Sequence, residues 1–391
     1  MFALLICCGS ADQEADPTPL TSPAGPASGE PFLASAGGGL WMTWIEKEGA
    51  HHNVLAARFE DEWSEPIVVA SGDDFFVNWA DFPSIYAEGD TLIVHWLQRG
   101  SQGGYDYSVR MSWSLDAGNT WSDPWTPHED GTPTEHGFVS IFSGPDGPAV
   151  VWLDGREMYG DEGSGDMGFR TRVLPIDGTV RDEVVLDDRT CECCQTDVTV
   201  IDGVPVVAYR DRGPEEIRNI HVVRQTASGW TEGQPVHDDG WMTPGCPVNG
   251  PALASRGSTV AVAWFTAPDD EPRVNVAFSG DGGVTFGPPA RADLGSPSGR
   301  VDLVALEEGG VLLSWLERGP EGARILSRRI AENGAMGDVL QLARTSEERA
   351  SGFPRIAALG SDRIAVAWTD ATGAGQVHVE AYDLVGWDPP S

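Results

Sequence analysis

Thr259-Val260-Ala261-Val262-Ala263-Trp264 is one of seven related apolar strands, each ending in a large aromatic residue. The others read LWMTW at 40–44, TLIVHW at 91–96, PAVVW at 148–152, VPVVAY at 204–209, GVLLSW at 310–315 and RIAVAW at 363–368. Their closing aromatics, Trp44, Trp96, Trp152, Tyr209, Trp264, Trp315 and Trp368, follow one another at intervals of 52, 56, 57, 55, 51 and 53 residues. A fixed period of this length marks a repeat architecture. A short strand precedes each (PFLASA at 31–36, PALASR at 251–256) and another follows (NVLAARF at 53–59, VNVAFSG at 274–280). In most units a fourth strand, like PIVVAS at 66–71, completes the set.

Four short antiparallel strands per unit make a propeller blade, and a blade cannot bury both faces alone. The sequence therefore predicts an all-β propeller with seven blades, six being the alternative if an end unit does not form. The last unit stops after its third strand, near Leu384. Residues 16–25, DPTPLTSPAG, resemble SEPIVVASG at 64–72 and are expected to supply the missing strand and close the ring.

The composition agrees with this. In 391 residues there are 48 Gly, 28 Pro and 15 Trp, material for tight turns and an aromatic core. A formal net charge of −35 disfavours nucleic acid and anionic lipid as partners. The N-terminus, MFALLICCGS, has an apolar run too short to span a bilayer. It reads as the end of a signal peptide, with Cys8 in a degenerate lipobox as a candidate lipidation site, or as an ordinary cleaved signal with incidental cysteines. Residues 1–15 are thus expected to be signal and tether and 16–391 one propeller domain. The protein is expected to be monomeric, periplasmic or at the cell surface, with the membrane reached only through a lipid anchor.

Two turns are more specific. Ser114-Leu115-Asp116-Ala117-Gly118-Asn119-Thr120-Trp121 and Ser279-Gly280-Asp281-Gly282-Gly283-Val284-Thr285-Phe286 both fit S-x-D-x-G-x-T-[W/F]. In this pattern Ser114, Asp116, Gly118, Thr120 and Trp121, and Ser279, Asp281, Gly283, Thr285 and Phe286, are structural: Gly permits positive φ, Asp accepts backbone N–H groups and the aromatic plugs the blade. The pattern resembles the Asp box of BNR-repeat propellers in the sialidase superfamily. That resemblance implies a carbohydrate-active hydrolase of exo-glycosidase type, with arginines holding an anionic group of the glycan.

In a propeller, the loops before first strands and after second strands open on one face. Two residues beyond the closing aromatics lie Glu46, Gln98, Asp154, Asp211, Thr266, Glu317 and Asp370, six of them acids or amides that can face the ring. The fourth unit is the richest, running Tyr209-Arg210-Asp211-Arg212 to Glu215-Glu216-Ile217-Arg218. Arg210, Arg212 and Arg300 are the candidates for holding an anion, and Asp211 or Glu216 for general acid/base work. A structural ion-pair network is the competing reading of the same charges.

Cys191, Cys193, Cys194 and Cys246 fall in two loops expected to meet at this mouth. Four cysteines in an oxidising compartment pair as two disulfides, the preferred reading. The alternative is a soft-metal site for copper or zinc, with His237, His136 or His51 nearby. His95, His221 and His378 lie inside strands and read as packing residues. Beside the glycosidase reading stands a non-catalytic propeller that binds a glycan, or copper or zinc through the cysteines.

Overall fold

The computed structural model describes residues 14–159, 165–320, 322–384 and 387. Cys8 and the rest of residues 1–13 lie outside them. Seven antiparallel sheets follow one another along the chain, each a meander from an inner to an outer strand. The first consists of Ser28–Ala36, Gly39–Glu48, His51–Phe59 and Ile67–Gly72. The innermost strands of the other six are Ser84–Glu88, His136–Gly144, Asp197–Ile201, Ala252–Arg256, Pro297–Ala305 and Arg355–Ala358. Each touches the next, and the last touches the first, so the blades form a closed ring.

Closure is made by the N-terminal segment. Thr18–Leu20 pairs antiparallel with Gln376–Asp383, opposing Thr18 to Ala381 and Leu20 to Val379, and becomes the outer strand of the seventh blade. In the second blade the outer strand shrinks to a bridge between Met111 and Trp125. Among the described residues no helix is long and apolar enough to cross a membrane.

The repeated aromatic is the blade's core residue. Trp44, Trp152, Trp264, Trp315 and Tyr209 are essentially inaccessible to solvent. A buried indole N–H needs an acceptor, and the residue two places on often supplies it. Trp44 Nε1 donates to Glu46 Oε1 at 2.9 Å, Trp152 Nε1 to Asp154 Oδ2 at 2.8 Å and Trp315 Nε1 to Glu317 Oε2 at 2.7 Å. Alternation along a strand puts i and i+2 on one face, which makes this contact local. Glu46 also accepts from Gly25 N and Glu317 from Ser296 N, so both tie an incoming loop to the blade. Acids expected to face the ring are thus, at three blades, internal acceptors.

The inner strands would otherwise present unpaired N–H groups to the channel. Carboxylates of neighbouring blades accept them: Asp81 Oδ1 from Phe138 N, Asp197 Oδ2 from Leu253 N and Asp302 Oδ2 from Ile356 N, at 2.8, 2.6 and 2.8 Å. Amides do the same at other junctions, where Gln195 accepts from Gly250 N and Asn249 from Arg300 N.

The two Asp-centred turns share one hydrogen-bond set. Asp116 takes Thr120 N and the Ser114 and Thr120 hydroxyls, and Asp281 takes the equivalent Thr285 N, Ser279 and Thr285 groups. Gly118 and Gly283 have φ of +89° and +80°, a region that penalises any side chain.

Trp315→Ala should leave both an unfilled void and an unpaired Glu317, and lower unfolding stability by about 3–5 kcal/mol. A fall in the urea midpoint with an unchanged transition slope is the expected result.

Candidate functional site at the channel mouth

Three inner strands begin with a bulge that carries a non-glycine residue in the left-handed region. These are Glu30, Phe138 and Arg300, with φ of +55°, +53° and +53°. In the first, third and sixth blades the pairing register shifts at this point. A bulge adds one residue to the strand and re-aims its side chain. At the sixth blade it sets the Arg300 guanidinium 4.9 Å from the ring centre of Trp79 and 5.8 Å from that of Phe353.

Arg300 is therefore held, yet not neutralised. Its Nη1 donates to Gly352 O at 2.7 Å, its backbone N–H goes to Asn249, and among the described residues it forms no ion pair. Burial away from carboxylates pulls its pKa down to about 10, which still leaves it charged at neutral pH. Trp79 is half-exposed. Phe353 continues the aromatic surface through Phe82 to Phe32, under the guanidinium of Arg355. Arg355 differs from Arg300 in having a partner, Asp302 at 3.1 Å. Below this rim the channel holds a cavity of about 300 Å³, lined among others by Asp81, Phe82, Gln195, Asp197, Phe353 and Arg355.

The other arginines expected to hold an anion are already engaged. Arg210 is fully buried and points four N–H···O contacts at backbone carbonyls, two to Asn249 and one each to Arg218 and Phe265. It also lies 5.1 Å over the ring of Trp241. These contacts tie it to the 237–250 loop and leave its guanidinium facing carbonyls rather than the open mouth. Arg212 is bracketed by carboxylates, reaching both oxygens of Glu216 and also Glu192 and Asp166. Arg218 joins the same network through Glu192 and Glu216. The Arg212 hydrogen bond comes first among the causes that hold the Glu216 carboxyl down at about 2. Glu216 is thus held in its ionised form by these arginines. The ion-pair reading of this segment is the one the structure supports.

Asp211 has the opposite character. Burial, and then the nearby Asp187 carboxylate, raise its pKa to about 6. Asp187 accepts the Tyr209 hydroxyl at 2.5 Å, and His221 Nε2 lies 3.7 Å from Asp211. One ligating atom each of Asp187, Asp211 and His221 lies within 4.8 Å of the others. Asp187 and Trp79 were absent from the expectation because each meets its partner across a blade boundary, outside any local motif.

The cysteines do meet. Cys193 and Cys246 form a disulfide between the two loops, whereas Cys191 and Cys194 are buried thiols with sulfurs 2.9 Å apart. One of the two expected disulfides is present. With Cys193 in that bond, Cys191 and Cys194 remain as thiols, and the Cys191, Cys193 and Cys194 sulfurs lie within 4.8 Å of one another. Of the histidines expected nearby, His51 pairs with Asp73 at 2.7 Å and His237 is exposed. His136 stacks on His128 at 3.8 Å, with Asp130 between their nitrogens. His128 Nε2 faces the N–H of Val109 as acceptor, which leaves Nδ1 as the protonated nitrogen toward Asp130. The cluster is buried, and one ligating atom each of His128, Asp130 and His136 lies within 4.8 Å of the others. His95 is also a packing residue, taking Ser84 N on Nδ1 and kept neutral by burial.

No family model and no curated protein matches the chain. Solved structures do match over most of its length. The BP39L lectin from Burkholderia pseudomallei aligns at TM-score 0.65 and 13% identity, covering 94% of this chain and 99% of the lectin. The α-L-arabinanase of Penicillium chrysogenum aligns at 0.52 and 13%, covering 96% and 99%. A Hadza microbial sialidase aligns at 0.50 and 13%, covering 92% of this chain and 66% of the sialidase. The chain is a seven-bladed propeller with structural neighbours among sialidases and arabinanases.

Burial raises Asp81 to about 7, well above its value of about 3.9 in the unfolded chain. Its contribution to stability is full while it is protonated, below the unfolded value. It is lost as pH rises through about 7, because ionisation is then easier in the unfolded chain. Asp81→Asn keeps an acceptor for Phe138 N and cannot ionise. Between about pH 5 and about pH 8 the variant should therefore gain on the wild type, by on the order of 3 kcal/mol at the upper end. Urea midpoints of both proteins across this range check it, and parallel curves exclude it.

Proposed function

We propose that the protein handles an acidic carbohydrate at the channel mouth, with the sugar carboxylate on Arg300 and a sugar face on Trp79. The observation that carries this is the Arg300 guanidinium, half-buried against two aromatic rings and with no carboxylate partner among the described residues. A charge taken out of water without a counter-charge gains most from an incoming anion. Guanidinium geometry suits a planar carboxylate held by two N–H groups. Trp79 offers an aromatic platform beside it, and the cavity below the rim has room for a ring substituent.

The net charge of −35 repels an anion at long range. Salt screens that repulsion within about 8 Å at physiological ionic strength, so contact with one unpaired guanidinium decides the outcome at close quarters. The likeness to a lectin, an arabinanase and a sialidase agrees with a carbohydrate ligand. The two Asp-centred turns support the reading of the chain as a BNR-type repeat protein of the sialidase superfamily.

Hydrolysis is a second reading, favoured by one observation. Asp211, raised to about 6 by burial and the Asp187 carboxylate, lies within 4.8 Å of Asp187 and His221, a grouping suited to general acid work.

Arg300→Gln should weaken binding of uronate or sialate oligosaccharides about 10-fold or more, while neutral glycans lose little; isothermal titration against matched acidic and neutral sugars measures this. Equal losses for both would remove the carboxylate from the proposal. Asp211→Asn should abolish glycoside turnover and leave that binding intact, and unchanged turnover would end the hydrolytic reading.

A further inference from the structure

Cys191, Cys193 and Cys194 sit on the loop that enters the fourth blade, and Cys246 sits on the loop that enters the fifth. Their accessibility is graded. Cys246 is exposed, Cys193 is half-buried, and Cys191 and Cys194 are 1% and 2% exposed. The Cys191 sulfur lies 3.9 Å from that of Cys193 on one side and 2.9 Å from that of Cys194 on the other. An exposed disulfide is therefore backed by a buried dithiol of C-x-x-C spacing, with Cys191 central to both.

We propose that these four cysteines form an internal thiol–disulfide relay, in which Cys191 passes the cross-link between the loop pair Cys193–Cys246 and the buried pair Cys191–Cys194. The steps balance without an outside oxidant. The Cys191 thiolate attacks Cys193 Sγ, forming Cys191–Cys193 and breaking Cys193–Cys246, so that Cys246 leaves as thiolate toward solvent. Cys194, giving up its proton, then attacks Cys191 Sγ; Cys191–Cys194 forms and Cys193 leaves. One disulfide and two thiols are present before and after, and each exchange passes through a mixed disulfide.

The surroundings favour Cys191 as the attacking group. Burial opposes its ionisation, but the Cys194 thiol and the nearby Arg210 and Arg218 guanidinium groups outweigh that and bring it to about 7. Cys194 moves the other way, raised by burial and by Cys191, so the two thiols differ in role. A thiol with a pKa near ambient pH is the most effective attacker.

The exchange has a structural consequence. The loop carrying Cys246 also carries Trp241, stacked under Arg210, and Asn249, which accepts the Arg300 backbone N–H. Opening Cys193–Cys246 removes the cross-link between this loop and the loop that enters the fourth blade, leaving the main chain and hydrogen bonds such as Arg218 N to Trp241 O and Thr243 N to Glu216 O.

The test uses the full-length chain with Cys7→Ser and Cys8→Ser. The protein is oxidised, given one equivalent of a phosphine per chain, incubated at neutral pH, quenched in acid, alkylated and mapped by peptide mass. Two isomers are expected, one with Cys193–Cys246 bonded and Cys191 and Cys194 alkylated, the other with the reverse. Quenched at successive times, their ratio should move toward one fixed value, which unselective opening of the two disulfides by the phosphine alone does not produce. The two single variants carry three of these cysteines and so one disulfide, and are mapped after oxidation without phosphine: Cys194→Ser should stop the relay halfway and accumulate Cys191–Cys193 with Cys246 free, and Cys191→Ser should hold the Cys193–Cys246 bond alone. An isomer ratio that does not change with incubation, or a Cys194→Ser protein that keeps Cys193–Cys246 bonded with Cys191 alkylated, would overturn the relay, as would a metal adduct holding Cys191 and Cys194 in the native mass spectrum. Acidic-sugar binding is not needed for this readout, so its outcome is independent of the carbohydrate proposal.

Discussion

The innermost strand of each blade is an edge strand, and its open side faces the central channel. Its amides need acceptors that its own sheet cannot provide. Asp81, Asp197 and Asp302 answer this by reaching one blade forward to Phe138, Leu253 and Ile356. Gln195 and Asn249 do so for Gly250 and Arg300. Burial pushes all three carboxyls upward in pKa, the energetic cost of placing acceptors where water is excluded. Because Asn249 fixes the Arg300 backbone and Arg210 fixes Asn249, the mouth inherits its geometry from the same junctions.

The mouth separates two kinds of arginine. Arg210 and Arg218 are buried and answered by carbonyls and carboxylates, and they hold loops in place. Arg300 is answered only in part, by a single carbonyl and by aromatic faces. Guanidinium groups tolerate this because they are weakly hydrated and stack on rings. What sets Arg300 apart is the combination of aromatic faces, a place beside the channel and no carboxylate partner among the described residues. The same contrast separates Glu216, held ionised by arginines, from Asp211, pushed toward its neutral form by burial and a second carboxylate.

The cysteine loops lie between these two features. Their disulfide joins the fourth blade to the loop that ends at Asn249, and the buried pair beneath it rests against Arg210 and Arg218. The chemistry of the sulfurs and the positioning of the mouth thus share the same few side chains.

How far the sequence reached depends on how local each interaction is. The seven closing aromatics, the two Asp-centred turns and the completion of the last blade by residues 16–25 were legible, because strand alternation, turn chemistry and repeat spacing act over a few residues or at a fixed period. The i to i+2 bonds from Trp44, Trp152 and Trp315 are local too, yet the sequence offered their acids as ring-facing, since it does not show which way a buried indole turns. The charge-rich run from Arg210 to Arg218 announced itself without showing which charges cancel. Only the closed ring decided that Arg210 meets the carbonyls of another loop, that Trp79 and Phe353 converge on Arg300 and that Asp187 stands beside Asp211. It also decided that Cys193 rather than Cys191 or Cys194 bonds to Cys246. These contacts join residues from different blades, and their distances are set by packing around the axis, which no stretch of sequence specifies alone.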